Sequence, residues 1–292
     1  MSARELKGPA EETGERQDRW AYYVYGIGER AALAPLFEGS LPEAIEPELP
    51  LELVACGEVA AIASAVTLDV YNEEALETHL TDLQWTALRA MRHATVLDHF
   101  AARAGVVPLR FGTIYLERGR VAAMLRQQQE ELLALIGRLS GREEWSLQIY
   151  RDRAALNDKL ESLSPRLREA GEQIAEAPPG QAYLLRKKTE ALRAEEAHAV
   201  TRRVVAEIER DLSALCDTST RQRLPKEEAT WNGELVAKLA FLLERSRFPE
   251  FRAAAERLAQ AHTASGFKLE LVGPWPAYSF AAMPDADPRN AG

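Results

Sequence analysis

The sequence predicts an α+β protein. It is expected to hold two ferredoxin-like (split βαβ) sheet units, with an antiparallel, coiled-coil-like helical hairpin inserted in the C-terminal half. Two observations lead there. Strand and helix patterns run as strand, hairpin, helix, strand, helix, and then as strand, helical hairpin, strand, helix, strand, an order of α+β type and not of a doubly wound parallel one. Two long apolar rows at helical spacing also flank the segment Ala177-Pro178-Pro179-Gly180. The expected divisions are a disordered tail over 1–19, an N-terminal ferredoxin-like domain over 20–140, a C-terminal domain over 141–281 that carries the hairpin (152–216), and a flexible end over 282–292.

Met1–Arg19 mixes charged residues, Gly, Pro and Gln without periodicity, the composition of a chain that cannot bury enough apolar surface to order itself. Order begins with the aromatic and β-branched run Trp20–Ile27, a strand ended by Gly28. Pro35, Gly39, Pro42, Pro47 and Pro50 then allow one helical turn at most. Leu51–Cys56 and Val59–Ala65, separated by Gly57-Glu58, read as a hairpin. Asn72 is expected to cap a long helix reaching about Ala104. Its buried face would be Leu76, Leu80, Leu83, Ala87, Met91, Ala94, Leu97 and Ala101, and Gly105 would stop it.

Val106–Leu116 reads as one strand, with Pro108 at an edge or bulge. A second amphipathic helix follows over about Arg118–Leu139, with Val121, Leu125, Gln128, Leu132, Leu135 and Leu139 on one stripe. Glu144–Tyr150 is a strand with Trp145, Leu147 and Ile149 on one face. Each sheet is expected to carry its helices on one side.

The hairpin is the cleanest pattern in the chain. Leu156, Leu160, Leu163, Leu167, Ala170, Ile174 and Ala177 form a heptad row. After the Pro-Pro-Gly break the return helix carries Leu185, Leu192, Val200, Val204, Ile208, Leu212 and Leu215. Ordering a residue costs about 1–2 kcal/mol, and burying a leucine contributes about 1.5–3 kcal/mol, so the two rows must face each other. Pro165 should kink the first helix or delay its start. A polar loop over Asp217–Lys226, a strand over Trp231–Leu243, a helix over Pro249–Ser265 and an alternating strand over Phe267–Val272 complete the pattern.

Composition narrows the function classes. The formal net charge of -9 over 292 residues disfavours nucleic acid and anionic membranes as partners, since both need a basic face. No apolar run approaches the roughly 18 residues of a membrane helix, and the opening residues hold no apolar signal segment. The two cysteines, Cys56 and Cys216, form no CxxC pair and suit a reducing compartment. The chain is therefore expected in the cytoplasm.

Chemistry-bearing motifs are sparse. Gly26-Ile27-Gly28-Glu29-Arg30-Ala31 matches G-x-G-x-x-A, but the prolines that follow leave no crossover helix to meet a pyrophosphate; a strand-ending turn is the better account. Glu195-Glu196-Ala197-His198 contains a single Glu-x-x-His, whereas carboxylate-bridged metal sites need two. It reads as a solvated helix face, like the charge run Arg186-Lys187-Lys188. No nucleophile elbow is present. The expectation is no catalytic residue, no cofactor and no metal. Arg110 sits inside an apolar strand, where an ion pair with a carboxylate across the sheet is the more economical account and an anion-binding or catalytic arginine is the alternative. Trp275 and Tyr278, stiffened by Pro274 and Pro276, either dock a partner or fasten the C-terminus to its own sheet.

Several blocks in fixed order resemble the gas vesicle protein L/F family (GvpL/GvpF). They are Tyr22–Ile27, Val107-Pro108-Leu109-Arg110-Phe111-Gly112-Thr113, Ala182–Lys188, Ala240–Leu243 and Gly273-Pro274-Trp275-Pro276-Ala277-Tyr278-Ser279-Phe280. The resemblance spans about Tyr22 to Phe280. It departs from the family pattern in the charged tail up to Arg19 and at Ala277, where a second proline is frequent. It implies an accessory or minor structural protein of gas vesicle assembly with no catalytic residues or cofactor. The implied partners are the main shell protein and other vesicle proteins. Candidate contact residues are Arg110, Phe111, Tyr183, Trp275, Tyr278 and Phe280. A small-molecule enzyme using Arg110 and a purely structural coiled-coil scaffold are the competing readings.

Overall fold

The computed structural model describes residues 20–224, 229–230 and 233–282. The expected disordered tail over 1–19, the flexible end from 283 onward and Trp231 lie outside the described residues. The chain divides into two compact units. Glu144–Pro274 form one, and the segments on either side form the other, so that the closing residues from Trp275 belong to the first unit.

The first unit opens with β1 (Trp20–Glu29), the helical turn α1 (Arg30–Leu33) and a 3-10 turn over Ala34–Glu38. β2 (Leu51–Cys56) and β3 (Val59–Thr67) form the expected hairpin, antiparallel from Leu51↔Ser64 to Cys56↔Val59. β1 pairs antiparallel with β3 from Trp20↔Thr67 to Glu29↔Val59, with a bulge between Val24 and Gly26. There follow α2 (Leu68–Tyr71), α3 (Glu73–His79), α4 (Leu83–Ala101), β4 (Val106–Pro108), β5 (Ile114–Tyr115), α5 (Arg118–Gln127) and α6 (Gln129–Leu139). The strand order is β2-β3-β1-β4, and β5 also pairs with β1.

Several features depart from the sequence reading, each for a local reason. The long helix from Asn72 is two helices. The Asn72 side chain caps only α3, through the Ala75 N–H at 2.8 Å. Asp82 then accepts from the Gln84 and Trp85 N–H groups at 2.9 and 3.1 Å and starts α4 afresh. Only part of the expected face is buried: Leu97 lies in the core and Leu76 and Ala101 pack against it, but Leu80, Leu83, Ala87 and Met91 are exposed, and His93, Val96 and Phe100 point inward beside Leu97 instead. The single strand over Val106–Leu116 is split by a turn, where the Thr113 N–H donates to the Arg110 carbonyl at 3.1 Å and Gly112 adopts φ +83°, a conformation glycine reaches without strain.

The helix over Arg118–Leu139 breaks at Gln128, although Val121, Leu125, Leu132, Leu135 and Leu139 are buried as the stripe predicts. Helices cover both faces of the sheet rather than one. Every residue of Val59–Val66 is buried, which a strand shows only when both its sides are covered. Ala60, Ile62 and Val66 share a core with α4, whereas α5 packs on β2 and β3 and α6 on β1, β3 and β4. β1 runs through Gly28 instead of ending there. A Cβ at Gly26 would sit 2.8 Å from Val106 Cγ1, and one at Gly28 would sit 2.9 Å from the Gly105 carbonyl. These glycines admit a neighbouring chain, not a phosphate.

The second unit contains β6 (Arg142–Arg151), α7 (Arg153–Leu163), α8 (Pro165–Glu176), α9 (Pro179–Ser213), β7 (Thr218–Arg221), β8 (Ala229–Thr230), β9 (Gly233–Glu244), α10 (Phe248–Thr263) and β10 (Phe267–Trp275). Its sheet order is β10-β6-β9-β7. Trp145, Leu147 and Ile149 of β6 share one core with Leu156, Leu160 and Leu167 of α7–α8, Val200, Val204, Ile208 and Leu212 of α9, and Phe251 of α10.

Pro165 marks a new helix start. It occupies the first position of α8, and the Ser164 hydroxyl caps that helix by accepting from the Leu167 N–H at 3.2 Å. The expected solvated charge run on α9 is only half exposed. Glu196 is buried, accepting from Ser164 Oγ and from Arg166 Nη1, both at 2.7 Å. The polar loop over Asp217–Lys226 contains β7, paired antiparallel with β9 from Thr218↔Leu242 to Arg221↔Leu239. It is a short polar strand at the sheet edge, so no apolar alternation announces it.

Candidate interaction site: a tyrosine–histidine network under the closing turn

Tyr23 and Tyr25 lie two residues apart on one face of β1 and are both fully buried, with ring centroids 4.9 Å apart. α4 lays His93 against them. The imidazole is 3% exposed, stacks on Tyr25 at 5.6 Å and meets the edge of Tyr23 at 5.7 Å. The turn after β4 supplies Phe111, whose ring stands edge-on to both Tyr23 and His93.

Both imidazole nitrogens are engaged. Tyr23 Oη lies 2.8 Å from Nδ1, and Tyr278 Oη lies 2.9 Å from Nε2. Tyr23 Oη also accepts from the Gly112 N–H at 3.1 Å. The proton assignment that satisfies every group has Tyr23 donating to Nδ1 and Nε2–H donating to Tyr278. Burial pushes the His93 pKa down to about 4 and raises those of Tyr23 and Tyr278, so imidazole and phenols are all neutral around pH 7. Neutral, hydrogen-bonded groups can share a packed interior that an isolated charge could not.

A second layer steadies this one. Tyr25 Oη accepts from the Ile45 N–H at 2.7 Å and lies 2.9 Å from Ser64 Oγ; burial raises its pKa to about 12. Arg89 Nη2 donates to Glu46 Oε1 at 2.7 Å, Tyr71 donates to the same oxygen at 2.5 Å, and the guanidinium lies 4.0 Å above the Trp85 ring. The segment Ala44–Glu46 is thereby tied to α2 and α4.

The candidate residues from the sequence fall in different places. Phe111 and Tyr278 meet at His93. Phe280 is half-buried nearby, its carbonyl accepting from Arg138 Nη2 at 3.2 Å. Trp275 is exposed, and Tyr278 remains 41% exposed although its hydroxyl is bonded. Tyr278 thus fastens the C-terminal segment to its own unit while keeping part of its ring outward.

Arg110 lies in the turn, not in a strand. It is exposed, and its side chain enters no ion pair among the described residues, so the expected cross-sheet pair does not form. Tyr183 belongs to the second unit, exposed near the start of α9, with Lys187 Nζ 5.6 Å from its ring centroid. His93 itself escaped the sequence reading. The spacing of His93, Val96, Leu97 and Phe100 was the signal that could have found it.

The described residues gather no group of three or more His, Cys, Asp or Glu side chains suited to a metal ion, and no described helix is long and apolar enough to cross a membrane. One cavity of about 450 Å³ lies beside Glu29, Arg30 and Glu58, and one of about 390 Å³ lies beside Trp145, Phe248, Leu269 and Leu271; Arg110 lines neither.

The profile of the family described as "Gas vesicle synthesis protein GvpL/GvpF" matches residues 21–282. The chain is 28% identical over 275 residues to gas vesicle protein L of Streptomyces sp. (strain CB03234), covering 91% of this chain and 94% of that one. It is 29% identical over 262 residues to gas vesicle protein F of the same strain, covering 88% and 98%. Its fold is similar to the crystal structure of GvpF from Microcystis aeruginosa, with a TM-score of 0.62 at 17% identity, over 90% of this chain and 99% of that one. With a family match that reaches almost from the first residue of β1 to the last described residue, this chain belongs to the GvpL/GvpF family of gas vesicle synthesis proteins.

Proposed function

We propose that this protein is a non-enzymatic accessory or minor structural component of gas vesicle assembly, active in the cytoplasm and at the vesicle, that holds the main shell protein and other vesicle proteins while the shell grows. Family membership over residues 21–282 supports the setting. One structural observation supports the manner of working. Residues from three blocks that carry the family resemblance, Tyr23, Phe111 and Tyr278, meet around His93. Their shared role is to fix a surface segment that leaves Trp275 and part of Tyr278 outward. Aromatic rings held rigidly at a surface are suited to gripping an apolar partner at low entropic cost.

The strand orders β2-β3-β1-β4 and β10-β6-β9-β7 support reading each sheet as a split βαβ unit. The packing of α7 and α8 along α9 supports the coiled-coil-like hairpin as a second projecting contact element, with Tyr183 near its tip. Co-purification of the tagged chain with the main shell protein from a vesicle-forming cell tests the proposal, and the Trp275→Ala/Tyr278→Ala double variant should lose that association. Normal vesicles in a strain lacking the gene would end it.

A further inference from the structure

The N-terminal part of the α4 surface that sequence periodicity assigns to the core is open. Leu83 is 84% exposed, Met91 65% and Leu80, just before the helix, 49%. With Ala87 between them, Leu83 and Met91 form a continuous apolar ridge, because positions four apart lie one above another on a helix, and Leu80 stands just before its start. The helix has already buried another face through His93, Val96, Leu97 and Phe100, so no rotation within the fold can bury both. An apolar stripe about two turns long, left outward on a helix that has already buried another part of its surface, marks a contact surface.

Charge at one end of the ridge identifies what would cover it. Asp69, Glu73, Glu74, Glu77 and Asp82 are exposed around its N-terminal end, and none is in an ion pair among the described residues. The nearby cations are committed elsewhere: Arg89 to Glu46, and Arg92 to Glu43 and the Ile45 carbonyl. We infer that the ridge Leu80–Leu83–Ala87–Met91 is a docking surface for an amphipathic helix of a partner protein. That helix lays an apolar stripe along α4 and carries lysines or arginines at the end that meets Glu73, Glu74 and Glu77.

The ridge from Leu83 to Met91 is about 12 Å long at 1.5 Å per residue, a match for about two turns of a bound helix. A second copy of this chain fits poorly. Antiparallel pairing sets the acidic end against the partner copy's Asp98 and Arg103, which together carry no net positive charge, and parallel pairing sets it against itself. An anionic lipid surface is repelled by the same carboxylates. The inference needs only the ridge and its acidic end, and stands apart from the role in vesicle assembly.

The test uses the full chain and a synthetic fluorescent 15-residue helical peptide with leucines at i, i+3, i+4 and i+7 spacing and lysines elsewhere. A twin with glutamates for the lysines serves as control. Fluorescence anisotropy should show the lysine peptide binding at least about tenfold more tightly than the twin, and more weakly as salt rises from ~50 to ~300 mM. Leu83→Ser/Met91→Ser should weaken binding about tenfold or more. Glu73→Gln/Glu74→Gln/Glu77→Gln should weaken it and flatten the salt dependence. Both variants change exposed side chains only, so unchanged thermal unfolding certifies their fold. Three results overturn the inference: absence of binding, equal binding of the two peptides, or binding indifferent to Leu83 and Met91. A concentration-dependent dimer in light scattering that Leu83→Ser/Met91→Ser abolishes also overturns it, in favour of self-association.

Discussion

His93 should make the first unit sensitive to mild acid. In the folded chain its pKa is held down to about 4, chiefly by burial, against 6.5 for the free group. Above pH 6.5 the imidazole is neutral in both folded and unfolded chains and contributes no pH dependence. As pH falls through 6.5 the unfolded chain takes up the proton while the folded one does not, so stability declines until about pH 4, where the folded form also protonates. The separation between 6.5 and about 4 corresponds to about 3 kcal/mol. The group is almost wholly buried, so little of that is lost to solvent screening.

Protonation also disturbs the hydrogen bonds. A second N–H, at Nδ1, would face Tyr23 Oη, which already accepts from Gly112, and the Tyr23 proton would have to leave its acceptor. Urea unfolding between pH 7 and 4, compared with His93→Gln, isolates the effect. The parent should lose about 3 kcal/mol more than the variant over that range, and the imidazole proton resonances should titrate near pH 4. Identical pH profiles for parent and variant would refute the reasoning.

Other consequences follow from single contacts. Gly112→Ala places a Cβ in open space, so its cost should be backbone strain alone, about 1–2 kcal/mol by thermal unfolding. Gly26→Ala meets Val106 Cγ1, Leu97 Cδ2 and the Val107 carbonyl at 2.8–2.9 Å and should cost more, about 2–3 kcal/mol; equal costs would contradict the packing described. Ser164→Ala removes both the α8 cap and a donor to the buried Glu196, so denaturation of the second unit should show a loss of about 1–3 kcal/mol. Glu46→Ala leaves Arg89 and Tyr71 without their shared acceptor and should lower chemical stability by about 1–3 kcal/mol.

Where one force dominates, the chain was legible. The β2–β3 hairpin, the core face of β6 and the Pro-Pro-Gly start of α9 each rest on short-range steric or apolar pattern, and they stand where the pattern puts them. The α3–α4 region was misread because two sets of residues on α4 keep helical spacing. The row containing Leu83 and Met91 shares its Leu97 end with the buried face, which His93, Val96 and Phe100 complete. The partners of the buried face, Tyr23 and Tyr278 among them, lie far away in sequence, and no local pattern encodes them. Arg110 was misplaced because Gly112 breaks a run that otherwise reads as one strand. Glu196 reads as a solvated charge because its partners, Ser164 and Arg166, lie at another helix. The network at His93 was invisible for the same reason, as its members are spread from residue 23 to residue 278.

That spread has a consequence for how the polypeptide is made. Tyr278 supplies the hydrogen bond that completes the His93 network, but the whole of Glu144–Pro274 is translated before it. At ordinary ribosomal speeds the interval is on the order of ten seconds. Throughout it, the nascent N-terminal unit waits with one imidazole nitrogen open to water, so its locking is timed by the emergence of a turn that the ribosome delivers only after the second unit.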